Sequence, residues 1–242
     1  MFVTEFQRFN RPTLFSRSEI GEDGQSKSLV LVPRDVASDL HDEQVSRLEA
    51  GARRLANSKW KRVLDILGAA LGILIMAPLF MLVAAAIMIE SPGSALFRQR
   101  RTGYLGAPFV IYKFRSMRVQ EDGPTIVQAH REDGRITRMG LLLRRTSVDE
   151  LPQLLNVLKG EMSLVGPRPA LPFEAELFPV WASPRYVVAP GLTGLWQVRG
   201  RNRLTMLQGL ELDVAYVEHR GFLVDLRILF RTVPAVLGRG AR

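Results

Sequence analysis

From Val63 to Ile89 the chain reads VLDILGAALGILIMAPLFMLVAAAIMI, 27 positions with a single charge, Asp65. A run of roughly 20 apolar residues is enough to cross a bilayer core as a helix. Pro78 stands near the middle, where its missing N–H and its ring bend or break a helix. Both flanks are basic, with Lys59, Lys61 and Arg62 before and Arg98, Arg100 and Arg101 after. The positive-inside rule puts both flanks in the cytoplasm. A crossing helix violates that rule. A segment that dips in, turns and leaves on the same face obeys it, but its bend frees backbone groups that need partners. The pattern alone leaves both forms open. Gly68 and Gly72 mark places where another part of the protein can approach closely.

Before this segment the pattern is polar. Residues 1–37 show no sustained period, with SLVLV (Ser28 to Val32) as a possible short strand, and no continuous apolar stretch resembling a signal peptide. From Ser38, a plausible N-cap, Leu40, Val45, Leu48, Ala52 and Leu55 follow a roughly helical spacing and predict an amphipathic lead-in helix. After the segment, PFVIYKFRSM alternates as a strand, with Phe109, Ile111 and Lys113 on one face. MGLLLRR predicts a short helix. Leu151, Leu154, Leu155 and Leu158 then form one helical stripe that ends at Gly160, a good C-cap. The C-terminal stretch predicts two helices split at Gly221, the second starting near Asp225. The fold class is α+β, in three parts: a polar extension over 1–58, a membrane hairpin over 59–92, and a mainly helical domain with a short sheet over 93–242.

Charge narrows the partners. Residues 1–58 hold 8 basic and 9 acidic side chains, and the remainder holds 25 and 15. The net charge of +9 therefore belongs to everything after the extension and suits an anionic partner: nucleic acid, phospholipid headgroups or a phosphorylated small molecule. No DNA- or RNA-binding motif accompanies that charge, and the apolar segment argues against nucleic acid. Cysteine is absent, so a disulfide framework and a thiolate site are excluded, and the three histidines lie far apart with no zinc-ligand spacing. No P-loop or GxGxxG is present.

The most informative stretch is RRTSVDELPQLLNVLKG, Arg144 to Gly160, where adjacent carboxylates open a half-buried helix in a basic chain. Helix capping is the bland explanation. Ser147-x-x-Glu150 matches a capping box, but that register places Pro152 too deep in the helix. With Asp149 as N-cap, Pro152 falls at N3, where its missing N–H costs nothing. Chemistry asks for the same place. Free N–H groups at a helix start keep a carboxylate ionised. Neighbouring helical side chains diverge by about 100°, which suits two acids with separate jobs, one attacking and one holding a metal. Magnesium commonly takes one or two carboxylates plus substrate phosphates. Arg144, beside Arg145, brings a guanidinium shaped for phosphate.

Several segments, in order, carry a resemblance: KRVLDILGA, FRQRRTG, IYKFRSM, LRRTSVDELPQLLNVLKGEMSLVGPRP, APGLTGLWQVRGRN and ELDVAYV…FLVDLRIL. The chain resembles the monotopic phosphoglycosyl transferases, the bacterial sugar transferases that start lipid-linked glycan assembly. The match runs from Lys61 to Leu237, about three quarters of the chain. The family's membrane helix breaks at a Ser-Pro pair; here those positions are Ala77-Pro78, so the proline is kept and the hydroxyl is lost. The resemblance implies the re-entrant hairpin, a cytosolic catalytic domain, and a location at the bacterial inner membrane.

It also implies an activity. Asp149 would be the nucleophile toward a nucleoside diphosphate sugar, and Glu150 would help hold Mg2+. Polyprenyl (undecaprenyl) phosphate would accept the sugar-1-phosphate in a ping-pong reaction that initiates exopolysaccharide or another lipid-linked glycan. A galactosyl or glucosyl uridine nucleotide is the donor expected of a short member. Lys113 is a candidate phosphate contact or a plain strand-end lysine. Arg168, held between prolines in GPRP, suits either a phosphate contact or a rigid turn. Arg101 and Arg201 are further substrate candidates, and Asp225 is either a helix cap or an additional carboxylate near the site. The rival reading is a membrane-anchored basic scaffold whose dyad only caps a helix.

Overall fold

The computed structural model describes residues 59–118, 133–200 and 204–237. The strand expected at Ser28 to Val32, the lead-in helix from Ser38 and the candidate Arg201 lie outside these residues. The described residues form a mainly helical α+β arrangement around one long apolar helix.

Helix α1, Lys59–Glu90, has 32 residues and so extends about 48 Å at 1.5 Å per residue. Its helical pattern runs through Ala77-Pro78 without interruption, which corrects the expected helix-break-helix form at this pair. Proline's fixed φ is compatible with a helix, so its cost is one lost hydrogen bond and some crowding. Packing on both sides of the proline offsets that cost. Ala69 belongs to a buried cluster with Ile111, Leu154, Val157 and Met162 before it, and Val83 and Ile87 pack with Phe114 and Leu143 after it. Phe80 meets Phe114 edge-on at 5.6 Å. One stripe of α1 is thus seated on the rest of the protein, while Leu64, Leu67, Leu71, Leu74, Met81 and Leu82 stay exposed. The two glycines do allow close approach: a Cβ at Gly68 would lie 2.6 Å from Leu164, and one at Gly72 3.2 Å from Leu154.

Both ends of α1 are tied to the same body. At the start, Arg62 donates to the carbonyls of Val157 and Leu158 at 2.5 and 2.7 Å. The buried Asp65 accepts from Ser163 Oγ and the Leu164 N–H at 3.0 and 2.9 Å. At the end, the Glu90 carboxylate accepts the N–H groups of Arg138 and Met139, in the first turn of the next helix. Arg115 donates to the carbonyls of Ser91 and Pro92.

The body itself begins with antiparallel strands β1 (Leu96–Thr102) and β2 (Pro108–Phe114), paired from Leu96 opposite Phe114 to Thr102 opposite Pro108. Helix α2 (Arg138–Thr146) is capped by the Thr137 hydroxyl. A 3-10 turn, Val148–Gln153, leads into α3 (Leu154–Lys159), which stops at Gly160 with φ 89° as expected. Strand β3 (Ser163–Val165) pairs in parallel with β4 (Gly191–Thr193). Between them lie α4 (Pro172–Glu176) and a second 3-10 stretch, Val180–Val187. Helices α5 (Leu195–Arg199), α6 (Met206–His219) and α7 (Phe222–Leu237) complete the described chain. The short sheet expected from sequence is therefore two separate two-stranded sheets.

The predicted leucine stripe is also corrected. The segment winds as a 3-10 turn before it becomes α-helical, and the tighter turn shifts the phase of everything after it. Leu154 and Val157 face the core, and Leu155 is exposed. Asn156 is fully buried among them and completes the edge of β2. Its amide donates to the Val110 carbonyl at 2.7 Å and accepts the Tyr112 N–H at 3.1 Å.

Candidate active site

Asp149 and Glu150 sit inside the 3-10 turn, so Asp149 is not the N-cap expected for it. The cap position is Ser147, which adopts φ 56° and makes no side-chain capping bond; the Glu150 N–H reaches the Ser147 carbonyl at 3.2 Å. The capping-box reading fails with it. A non-glycine residue in left-handed backbone costs energy, and such strain concentrates at functional sites. Here it ends α2 abruptly and opens the turn from which Glu150 reaches β2.

From β2, Lys113 Nζ reaches Glu150 Oε1 at 2.8 Å. These two residues face a cleft lined also by Arg101, Ile111, Gln153, Arg168, Pro169, Leu192 and Gln197. The alternation read along β2 holds here, because Ile111 and Lys113 project to the same side. Three of the basic candidates therefore converge beside Glu150: Lys113, Arg101 and Arg168. Arg101 is buried, bonded to Gln99 Oε1 at 2.6 Å and to the Pro169 carbonyl at 3.2 Å. Burial, then the like charge of Arg168, depresses its pKa to about 10. Cations that oppose each other in a half-closed cleft make a site for a polyanion.

Asp149 is half-buried. Burial, then repulsion from Glu150, pushes its pKa up to about 6, with Lys113 and Arg144 pulling the other way. Arg144 does not line the cleft; it donates from Nε to Ser116 Oγ at 3.1 Å and acts on Asp149 through its charge. Asp225 is neither cap nor cleft residue. Its carboxylate receives Lys61 at 2.6 Å and the Tyr216 hydroxyl at 2.8 Å, joining the start of α1 to α6 and α7. The sequence left both roles open because an acid at a helix start looks alike in either.

The cleft wall depends on backbone approach between two motif loops. A Cβ at Gly191 would fall 2.1 Å from the Gly166 nitrogen, and one at Gly194 2.1 Å from the Gly166 carbonyl oxygen. Only glycine lets the GPRP and APGLTG segments lie this close. That contact brings Arg168 and Pro169 beside Leu192 and Gln197. Sequence reasoning did not find Gln153, Gln197 or Leu192; the glycine spacing in APGLTG was the available signal.

A metal can be tested against the donor set. Among the described residues no group of three or more carboxylate or imidazole ligands occurs. Asp149 and Glu150 supply carboxylate oxygens only, a set that fits a hard cation completing its shell with substrate phosphate and water.

The bacterial sugar transferase family profile matches residues 56–239. The chain belongs to the bacterial sugar transferase family. A UDP-glucose:undecaprenyl-phosphate glucose-1-phosphate transferase of Caulobacter vibrioides is 50% identical over 193 residues, covering 76% of this chain and 72% of the relative. The exopolysaccharide production protein ExoY of Rhizobium meliloti is 40% identical over 209 residues, covering 80% and 92%. An Escherichia coli protein with the same name as the Caulobacter relative is 40% identical over 185 residues, covering 73% of this chain and 40% of that protein.

Proposed function

We propose that the protein moves a sugar-1-phosphate from a UDP-hexose to undecaprenyl phosphate at the cytosolic face of the bacterial inner membrane, feeding exopolysaccharide or related glycan synthesis. The observation that carries this reading is the convergence of Lys113, Arg101 and Arg168 on the cleft holding Glu150, next to Asp149. The names of the similar proteins support the donor, the acceptor and the exopolysaccharide setting. Glucose is the sugar in the Caulobacter relative's name.

Asp149 acts as nucleophile. One carboxylate oxygen attacks the sugar-bearing phosphorus, the bond to the bridging oxygen breaks, and uridine monophosphate departs with that oxygen and its electron pair. The sugar phosphate is then joined to Asp149 as an acyl phosphate. A phosphate oxygen of the polyprenyl acceptor attacks the same phosphorus, the bond to the aspartyl oxygen breaks, and the carboxylate is restored. Splitting the displacement in two predicts ping-pong kinetics. Lys113, Arg101 and Arg168 bind and orient the diphosphate and offset charge on its oxygens. Arg144 keeps Asp149 closer to its ionised form. Glu150 would help hold Mg2+, which supplies further charge neutralisation when bound.

Helix α1 supports attachment to one leaflet. It is the one described helix long and apolar enough to cross a membrane, yet both its ends are bound to the body that carries the cleft. An α1 driven across the bilayer would take those polar contacts into lipid. Immersing only its exposed side keeps the cleft at headgroup level, where an acceptor phosphate sits while its isoprenoid tail stays in hydrocarbon.

The experiment is intact-mass measurement after mixing metal-loaded protein with UDP-glucose and no acceptor. A gain equal to one glucose phosphate on Asp149, absent from Asp149→Asn, is expected. An active preparation that never carries this adduct under rapid quenching rejects the covalent route. Absence of uridine monophosphate release from any UDP-hexose rejects the transferase reading in favour of a scaffold.

A further inference from the structure

Beneath the GPRP turn lies an ion pair that the chemistry above does not use. Arg185, from the 3-10 stretch Val180–Val187, and Asp213, from α6, have side chains 2% and 0% exposed and meet at 2.7 Å. Arg185 Nη2 also donates to the Arg168 carbonyl at 2.5 Å while the same nitrogen holds Asp213 Oδ2 at 2.7 Å. One ion pair is thus tied to the backbone of a single residue. The Arg185 guanidinium is further fixed over the rings of Phe178 and Tyr186, 4.9 and 5.3 Å from their centroids.

We propose that Arg185 and Asp213 are positioning residues that set the backbone of Arg168, and so aim its guanidinium into the cleft. This rests on the reading of Arg168 as a phosphate contact. The backbone there is held from every side. Pro167 and Pro169 flank it and are buried, Arg101 binds the Pro169 carbonyl, and the Thr102 N–H binds the Ala170 carbonyl at 2.9 Å. Arg168 is the exposed residue inside this rigid frame, and its side chain lines the cleft. A pair retained for stability alone is poorly explained. Burying two charges commonly costs more than an apolar pair of the same volume. Arg185 Nη1 and Asp213 Oδ1 also make no hydrogen bond among the described residues, which adds to the cost. Accurate placement has a use in phosphoryl transfer, where a shift of about 1 Å in a positioning group lowers the rate on the order of a hundredfold.

A double-mutant cycle on the full-length, detergent-solubilised enzyme tests the inference, with uridine monophosphate release from UDP-glucose as the readout. Arg185→Lys is expected to lower kcat/KM by about tenfold in the parent, and by less than about twofold when added to Arg168→Ala, because its effect passes through Arg168. The accompanying change in Tm should be equal in the two backgrounds. Asp213→Asn, which keeps shape, should repeat the pattern. Equal activity losses in both backgrounds would overturn the inference while leaving the Arg168 contact standing. Normal kcat/KM in Arg168→Ala alone would instead remove the phosphate contact, and the inference with it. Failure of both Arg185→Lys and Asp213→Asn to fold assigns the pair to stability and rejects a positioning role.

Discussion

Lys113 Nζ lies 2.8 Å from Glu150 Oε1, joining strand β2 to the 3-10 turn that carries the acid pair. The bond links one edge of the cleft across 37 residues of sequence. It also sets the charge balance there: Lys113 pulls the Asp149 pKa down while Glu150 pushes it up. Lys113→Met is expected to lower kcat/KM for the nucleotide sugar by about 10- to 100-fold, the size of one lost charge-assisted contact. The acid limb of the pH–rate profile should move to higher pH, since Asp149 loses a cation that favours its ionised form. An unchanged limb together with unchanged kcat/KM would make Lys113 an ordinary strand-end residue.

Asp149 is held at a cost in stability. Its pKa rises from 3.8 to about 6 on folding. A raised carboxyl pKa means that the folded state binds the proton more tightly, so stability falls as pH rises from about 4 to 6 and stays lower above that. In metal-free protein at neutral pH, Asp149→Asn should remove a penalty on the order of 1–3 kcal/mol and raise Tm by roughly 2–8 °C while abolishing turnover. Differential scanning fluorimetry at pH 5 and pH 8 checks this: the gain should be larger at pH 8. A lower Tm for the variant at both values contradicts the assignment.

Gly191→Ala tests the packing of the two motif loops. The added methyl would meet the Gly166 nitrogen at 2.1 Å and the Thr193 carbonyl oxygen at 2.4 Å, both backbone atoms that cannot rotate away. A loss of about 3 kcal/mol or more, with Tm lowered by at least roughly 6 °C, is expected, along with weakened nucleotide-sugar binding. Thermal melts and KM measurement decide it. A variant within experimental scatter of the parent in both would show that the loops do not need this contact.

The placement of α1 is testable because the chain has no cysteine of its own. Single cysteines at Lys59 and Ser94, just inside and just beyond the helix, should both react from the cytoplasm with a membrane-impermeant maleimide. Labelling from opposite sides would mean that α1 crosses. Asp65→Ala complements this: it leaves Ser163 Oγ and the Leu164 N–H without their acceptor, and should cost about 1–3 kcal/mol.

Much of this molecule was legible from short-range pattern. Strand β2, helix α2, the stop at Gly160 and the split of α6 from α7 at Gly221 follow from alternation, period and glycine placement, all local signals. The acid pair stood out because it broke the prevailing charge. The errors share one origin. Pro78 reads as a break, and Asp149 reads as a cap, when only neighbours in sequence are weighed. Packing of Ala69, Phe80 and Val83 against the body keeps α1 continuous, and the strained Ser147 makes the turn that a cap would otherwise have marked.

The order of segments along the chain determined the family, the apolar helix and the candidate acid pair, because each is written in contiguous residues. Which cations share the cleft with Glu150 was decided by the tertiary structure. Arg101, Lys113 and Arg168 come from three separate segments and meet only because β1 pairs with β2 and glycine backbones let the motif loops touch, while Asp225, equally suggestive in sequence, is drawn away to Lys61 and Tyr216. Charge acts through space over a few ångströms, and that distance is set by packing rather than by position in the chain.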